Sequence, residues 1–316
     1  MPKNLVSVVI PSYNHAQYIK QAVESVLGQS YTNLELIVID DGSTDASLAY
    51  LRTVRDPRYT LIEQENAGAH NAINKGLSLA KGNYLTILNS DDIFHPERLA
   101  TCISLLNDGV DLVASWIEVI NQKGKVLGIK EGWNNMLPWP ITPSTHGMEG
   151  LDDFTLNLLM TNFVSTTSNI VFTRSLYESI GGMRNLRFVH DWDFLLRAAR
   201  SFRCALLKKP LLQYRTHQTN TISSNRAWML FEICWIFAVH LKKFNSAIFD
   251  HSSNPTSLSK GIDFLSQSIN LQGNDRIMWM ILQYLHEREK LGDNSFEEAL
   301  INNEHLRFAF IKHIKS

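Results

Sequence analysis

Apolar and polar positions alternate in blocks along the first 90 residues of the chain. Residues 5–10 (LVSVVI) form a continuous, β-branched run, which is typical of a strand buried on both faces. In the next block, 16–30, apolar residues recur at helical spacing and Gly28 lies near the end of the predicted helix. The alternation continues with predicted strands at 34–40, 59–64 and 84–88 and predicted helices at 44–54 and 69–82. This order predicts an α/β fold, with a mostly parallel sheet flanked by helices on both faces.

The pattern becomes helical after residue 225. In the helix predicted at 226–243, apolar residues surround most of the circumference, and the helix ends in two lysines. Two interpretations stay open: burial against the sheet domain or another subunit, or a position at a membrane interface with the lysines at the headgroups. We predict two domains, 1–224 around the sheet and 225–316 as a C-terminal helical extension that contacts a substrate, an oligomer partner or a membrane surface.

Three polar segments follow strands of the predicted sheet: 11–14 (PSYN), 40–43 (DDGS) and 89–92 (NSDD). Parallel sheets bind ligands beyond the carboxyl ends of their strands, so we expect these segments to lie along one edge. We call them the rim. Turn formation accounts readily for any one of these polar segments, but less readily for three that converge at one edge.

The rim offers side chains suited to a nucleotide. Tyr13 can stack on a base, Asp41 can accept a hydrogen bond from a base or ribose, and Asp91 and Asp92 can hold a divalent cation at a diphosphate, because hard cations prefer oxygen ligands. The alternative for the Asp91–Asp92 pair is a turn before a helix that begins at Pro96.

Composition and charge exclude several classes of protein. The 30 basic and 31 acidic residues nearly balance, so charge gives no reason to expect nucleic acid as a partner. The three cysteines are widely spaced and form neither a zinc pattern nor a disulfide framework, which favours buried thiols. The N-terminal apolar stretch is too short for a signal peptide, and no segment has the roughly 20 uninterrupted apolar residues of a spanning helix. We therefore expect a cytoplasmic protein, with peripheral contact at the inner face of the cell membrane left open.

Sequence motifs exclude other nucleotide-binding classes. The chain has no Gly-x-Gly-x-x-Gly after its first strand and no Gly-x-x-x-x-Gly-Lys-Ser/Thr, which argues against dinucleotide oxidoreductases and P-loop enzymes. A sugar-1-phosphate nucleotidyltransferase would need a Gly-Gly-x-Gly-Thr-Arg loop where this chain has PSYNHAQY.

Three blocks of the sequence together resemble the family 2 glycosyltransferases, which are inverting enzymes of the GT-A fold. The blocks are residues 6–92, which contain the rim, 188–200 (FVHDWDFLLRAAR) and 214–223 (YRTHQTNTIS). The resemblance covers about the first 225 residues. It implies a Rossmann-like GT-A sheet and a cytoplasmic, nucleotide-binding enzyme of polysaccharide synthesis.

The resemblance also implies a role for individual residues. Pro11, Tyr13 and Asp41 would hold uridine. Asp91 would lie near the ribose and donor sugar, and Asp92 on the Mn²⁺ or Mg²⁺ that bridges the diphosphate. Asp191 would be the general base that deprotonates the acceptor hydroxyl, which then attacks the anomeric carbon with inversion.

Other candidates come from the residues themselves. A guanidinium matches phosphate oxygens at two positions, so Arg215 is a candidate for the diphosphate. His217 is either a metal or phosphate ligand or an ordinary loop histidine. Asp193 is a rival base to Asp191, and both carboxylates also suit a helix N-terminus.

In the predicted third helix, AHN (69–71) stands where the family commonly has Ala-Arg-Asn, and His70 is either a substitute phosphate contact or an exposed histidine of the helix surface. Two further positions depart from the family pattern. Asn89 replaces the first carboxylate of Asp-Ser-Asp-Asp, and His190 replaces the glutamate before the proposed base. We expect a hexosyltransferase-type glycosyltransferase that moves a sugar from a UDP-sugar to a glycan or lipid-linked oligosaccharide in cell-surface polysaccharide synthesis. The two departures keep a second class open, a non-catalytic nucleotide-sugar-binding protein of the same fold.

Overall fold

The computed structural model describes residues 4–132, 154–217, 225–243 and 271–315, together with Met136 and Ser259. The chain divides into two compact units. The first unit comprises residues 1–143, 163–183 and 197–217, and the second comprises 144–162, 184–196 and 218–316. The predicted boundary at 224/225 lies near the last of these transitions. Residues 144–162 and 184–196 nevertheless belong to the same unit as the C-terminal helices. The hydrophobic pattern does not predict this, because it describes neighbours in the sequence and not neighbours in space.

The first unit is built around one mixed sheet, which has nine strands in the part of the chain that the structure describes. In chain order the strands are β1 (Val6–Ser12), β2 (Leu34–Asp41), β3 (Tyr59–Gln64), β4 (Tyr84–Ile87), β5 (Ile93–Phe94), β6 (Leu112–Asn121), β7 (Val126–Lys130), β8 (Val171–Thr173) and β9 (Cys204–Thr216). Their spatial order is β3-β2-β1-β4-β8-β6-β9-β5, and β7 pairs with β6. The pairs among β1 to β4 are parallel, as predicted, whereas β8 runs antiparallel to both of its neighbours.

The described helices occur in both units. They are α1 (Ile19–Leu27), α2 (Ser47–Leu51), α3 (Ala69–Leu79), α4 (Arg98–Asn107), α5 (Phe154–Met160), α6 (Arg174–Ile180), α7 (His190–Ala199), α8 (Arg226–His240), α9 (Asp275–Lys290) and α10 (Glu304–Ile311). Helices α1 to α4 and α6 belong to the first unit.

Strand β1 is covered on both faces because successive side chains of a strand point to opposite sides. Val6, Val8 and Ile10 join α1 in one buried apolar cluster. Val9 points the other way, toward α3, where a Cβ at Gly76 would lie 2.3 Å from Val9 Cγ1. Only glycine allows this close approach of helix and strand. The continuous apolar run of β1 therefore reflects two packed faces.

The register of the parallel strands places the rim at one edge of the sheet. Ser12 of β1 pairs with Asp40 of β2, and Val9 of β1 pairs with Ile87, the last residue of β4. The three rim segments, which begin in the last residues of β1 and β2 and shortly after β4, therefore lie together at the carboxyl ends of these strands.

The second unit contains α5, the first part of α7, and α8 to α10. Helix α8 packs against α9 and α10, and the rings of Phe231 and Phe310 lie 6.4 Å apart. Its residues from Leu230 to His240 are buried, apart from the partly exposed Ile233. The helix is therefore buried, and the helices that pack on it, α9 and α10, belong to its own unit, whereas the prediction named the sheet domain or another subunit. None of the described helices combines the length and the apolar character needed to cross a bilayer.

Candidate active site

Hydrogen bonds join the three segments of the rim. The Asn14 amide donates to Ser43 Oγ (3.1 Å), and its side-chain oxygen accepts from the Thr44 amide (2.8 Å). His15 Nδ1 lies 2.7 Å from Ser90 Oγ. The structure therefore brings together the segments that the sequence placed at one edge, and His15 is the residue that links the first segment to the third.

The candidate nucleoside residues differ in what they offer a ligand. Tyr13 is 47% exposed and Pro11 is partly buried in β1. Asp41 is buried, and its carboxylate accepts from Gln64 Nε2 (2.6 Å) and from the amides of Ala67 (2.9 Å) and Gly68 (2.9 Å). Asp41 thus fixes the loop before α3, and the base or ribose contact predicted for it stays a prediction.

Gly42 shows why the DDGS segment needs a glycine at its third position. Its φ is +78°, and a Cβ there would lie 2.9 Å from the backbone nitrogen of Asn66. Both the left-handed conformation and the close approach of the neighbouring loop favour glycine.

One group of side chains at the rim can hold a metal ion. Ligand atoms of His15, Asp91 and His217 all lie within 4.8 Å of one another, and His217 Nε2 is 2.9 Å from Asp91 Oδ2. Burial lowers the pKa of His15, although Asp91 opposes this effect, so its imidazole is neutral and can ligate at neutral pH. Two imidazoles and one carboxylate fit a transition metal such as Mn²⁺ better than Mg²⁺, which prefers oxygen ligands. Sequence reasoning named Asp91 and His217 but missed His15, which lies one residue beyond the PSYN segment.

Asp92 has a different environment from Asp91. It is 1% exposed, accepts from Ser168 Oγ at Oδ2 (2.6 Å) and accepts from the Arg215 amide at Oδ1 (3.0 Å). Burial, followed by the nearby Asp91, raises the pKa of Asp92 well above its usual range. Asp92 does not belong to the group of possible metal ligands found among the described residues. Its predicted role on the metal therefore stays a prediction, and its contacts are those of a residue that ties β9 to the rim.

Arg215 is 1% exposed and makes several contacts to protein oxygens. Its Nε donates to the Asp91 carbonyl (2.8 Å), Nη2 donates to Gln21 Oε1 (2.8 Å) and Nη1 donates to the Asn121 carbonyl (3.2 Å). The guanidinium also lies 4.7 Å from the centre of the Tyr18 ring. These contacts fix the backbone at Asp91, and the diphosphate contact predicted for Arg215 stays a prediction.

Asn89 contacts a polar segment, residues 166–168, that lies far from it in the sequence. Its Nδ2 donates to Thr166 Oγ1 (3.0 Å), while its Oδ1 accepts from Thr167 Oγ1 (3.0 Å). The Asn89 backbone amide donates to Ser168 Oγ (2.9 Å), the same hydroxyl that binds Asp92. An amide serves both threonines because it has a donor and an acceptor, whereas a carboxylate has acceptors only. At this position Asn89 therefore supplies both a donor and an acceptor to the two threonines.

We expect Asn89→Asp to destabilise the first unit by about 1–3 kcal/mol without strengthening metal binding, because the donor to Thr166 is lost close to two other carboxylates. Denaturant unfolding at pH 7 and a Mn²⁺ titration measure the two effects. Asn66→Asp, at an exposed position of the same unit, is the matched control. Tighter Mn²⁺ binding by Asn89→Asp would show that this position is a ligand site.

Asp191 lies in the first turn of α7, in the second unit. It is 7% exposed, and its carboxylate accepts from Asn162 Nδ2 (3.0 Å) and the Trp192 amide (2.7 Å). Burial raises the pKa of Asp191, while His190 is the strongest of the groups that oppose this effect. A carboxylate with a raised pKa is a better proton acceptor than an ordinary surface aspartate.

Asp193, the rival base, is fully buried in an ionic cluster. Its Oδ1 lies 2.9 Å from His240 Nε2 and 3.2 Å from Arg184 Nη1. Arg184 in turn pairs with Glu297 at 2.7 Å. These partners give Asp193 a structural role in anchoring α7, which leaves Asp191 as the stronger candidate for the base.

Comparisons with known proteins place this chain in a family. Residues 7–179 match the family described as glycosyl transferase family 2. An uncharacterized glycosyltransferase of Rickettsia prowazekii is 28% identical over 224 residues, which are 70% of this chain and 66% of the relative, slightly less than two thirds of its length.

Two solved structures share the fold. The first is Staphylococcus aureus TarS 1–349 in complex with UDP-GlcNAc. The match covers 96% of the present chain and 92% of the TarS chain, with a TM-score of 0.57 and 17% identity. The second is the mannosyltransferase PcManGT of Pyrobaculum calidifontis in complex with GDP-Man and Mn²⁺. The match covers 97% of the present chain and 84% of the PcManGT chain, with a TM-score of 0.56 and 17% identity. At this identity the likeness concerns the fold alone, and it confirms the predicted GT-A architecture. The chain belongs to glycosyl transferase family 2.

Proposed function

We propose that this chain is an inverting, metal-dependent glycosyltransferase that uses a UDP-sugar as donor. The observation that carries the proposal is the grouping of His15, Asp91 and His217 at the rim of a family 2 chain. Parallel sheets bind nucleotides at this edge, and a diphosphate leaving group needs a cation beside it.

The donor site is proposed to consist of residues of the first unit that lie in the rim or beside it. His15, Asp91 and His217 fit Mn²⁺, and their fit rests on the distances between their ligand atoms. When bound, the ion supplies Lewis-acid stabilisation of the negative charge that develops on the leaving diphosphate. Tyr13 offers an exposed ring for the uracil base, with Pro11 beside it in β1. Asp92 and Arg215 hold the backbone at Asp91 in place through their buried hydrogen bonds.

Asp191 is proposed as the general base. It would accept the proton of the acceptor hydroxyl, so that the hydroxyl oxygen forms the bond to the anomeric carbon as the bond to UDP breaks on the opposite face. Three features support Asp191 as the base: its buried position, its raised pKa and the resemblance of residues 188–200 to the acidic motif of the family. The nucleophilic attack from the opposite face gives inversion.

The donor is proposed to carry UDP because the TarS complex holds UDP-GlcNAc, and GDP is the alternative because the PcManGT complex holds GDP-Man. The acceptor is proposed to be a hydroxyl of a glycan or lipid-linked oligosaccharide, in the synthesis of a surface polysaccharide. A panel of UDP- and GDP-sugars, tested with Mn²⁺ and with EDTA, measures release of the nucleoside diphosphate. Metal-dependent release of UDP, with a product of inverted anomeric configuration by NMR, is the expected result. Equal release in EDTA, or a product of retained configuration, would contradict the proposal.

A further inference from the structure

The single carboxylate within the apolar helix α8 contacts the segment that leads into α7. Glu232 is 1% exposed, and its Oε1 accepts from the Arg187 amide at 2.8 Å. Its Oε2 accepts from the amides of Phe188 (2.8 Å) and Val189 (3.3 Å). One side chain therefore binds three consecutive backbone amides, and α7 begins at the next residue.

Helix α8 holds the beginning of α7 at a second point. His240 lies two turns after Glu232 on the same helix, and its Nε2 is 2.9 Å from Asp193 Oδ1. Asp191 therefore lies between the two anchored parts of the chain, residues 187–189 and Asp193. A rigid scaffold on both sides limits the movement of the carboxylate between them.

Aromatic contacts reinforce the first of these anchors. The guanidinium of Arg187 lies 5.6 Å from the centre of the Phe188 ring and 5.5 Å from that of Trp228, which is one turn before Glu232. The rings of Phe188 and Trp228 are 6.2 Å apart in an edge-to-face arrangement. The segment is thus fixed by backbone hydrogen bonds and by side-chain packing on the same stripe of α8.

We propose that Glu232 is the positioning residue of the general base: it clamps residues 187–189 and so sets the position of Asp191. This inference rests on the proposed function of Asp191 and extends it to a helix beyond the residues that match the family. Burying a carboxylate is costly, and burial raises the pKa of Glu232 to about 7 against the effect of the three amides. An apolar residue would avoid that cost but would leave three amides without an acceptor. The clamp is a reason to place a carboxylate here.

Two substitutions test the clamp to different degrees. Glu232→Ala removes every acceptor, whereas Glu232→Gln keeps one oxygen, which can still serve Phe188 and Val189, and turns a donor toward the Arg187 amide. Glu304→Gln, the same change at an exposed position of the second unit, is the control. Amide hydrogen exchange of residues 187–193 measures how well the backbone amides of the segment are protected, and steady-state kinetics measure the effect on the proposed base.

We expect faster exchange at residues 187–189 in Glu232→Ala and intermediate exchange in Glu232→Gln. In parallel, kcat should fall about hundredfold in Glu232→Ala, since a misplacement of about 1 Å costs that much, with the Kd of UDP unchanged. Unchanged exchange at 187–189, or faster exchange with unchanged kcat, would overturn the proposal. If Glu232→Ala does not fold, Glu232→Gln alone gives both readouts. If the wild-type protein transfers no sugar, the proposed function fails, whereas the exchange experiment still shows whether the clamp exists.

Discussion

Replacing Asp191 by Asn is expected to lower kcat about a thousandfold and to leave the affinities for UDP and Mn²⁺ unchanged. Asn keeps the size of the side chain but does not accept a proton, and general base catalysis contributes roughly 10²–10⁴-fold to a rate. Steady-state kinetics and calorimetric titration of UDP measure the two quantities. A variant that turns over at the wild-type rate would exclude Asp191 as the base.

The pH dependence of the wild-type enzyme gives a second test of Asp191. The base acts in its ionised form, so kcat should fall as the pH is lowered through its pKa. Because burial raises that pKa, the acidic limb should lie above the range of about 3.9 that is usual for aspartate. An acidic limb that is unchanged in the residual activity of Asp191→Asn would contradict the assignment.

Asp193→Asn is the matched comparison, two residues further along the same helix. It weakens the pairs with His240 and Arg184, so the expected loss is one of stability. Removal of one partner of a buried pair costs roughly 3–5 kcal/mol, and Asn retains part of the hydrogen bonding. Denaturant unfolding should therefore change strongly in this variant and little in Asp191→Asn.

Substitution of the candidate metal ligands is expected to have the second largest effect. Loss of a residue that only supports a metal ligand weakens metal binding roughly 10–100-fold. Asp91→Asn removes the negative charge of a candidate ligand and His217→Ala removes a ligand atom, so each should weaken Mn²⁺ binding by more than that. His15→Ala should act in the same direction. Mn²⁺ titration without nucleotide measures this effect independently of turnover.

Exposed residues of the first unit provide controls for these variants. Asp108→Asn and His95→Ala make the same chemical changes away from the candidate metal group. They should bind Mn²⁺ as tightly as the wild-type protein. Wild-type affinity in Asp91→Asn would place the cation elsewhere and would remove the observation on which the proposed function depends.

The fold and the rim were accessible from the sequence because both follow from short-range patterns. The buried apolar run of β1 and the alternation of strands with helices predict the parallel core of the sheet. Because ligands bind beyond the carboxyl ends of parallel strands, residues 11–14, 40–43 and 89–92 are predicted to lie together. His15 could have been suspected from its place beside the first of these segments. Its contact with Ser90 depends on the path of the chain after β1, which no periodicity describes.

Other features of the site depend on contacts between distant parts of the chain. The contrast between Asp91 and Asp92 arises from Ser168 and Arg215, which are far from them in sequence. Helix α8 shows the same limit. Its composition suits lipid or protein equally, and only the burial of its residues, with Glu232 bound to backbone amides, favours protein.

Calorimetric titration of UDP into the wild-type protein, first with Mn²⁺ and then with EDTA, shows whether the rim holds a metal-dependent nucleotide-sugar site. We expect a single UDP site that forms with Mn²⁺, disappears with EDTA and is lost in Asp91→Asn but retained in Asp108→Asn. UDP binding of equal affinity in EDTA would show that the site does not depend on the metal, and the absence of binding of both UDP and GDP in the presence of Mn²⁺ would show that the rim is not a nucleotide site.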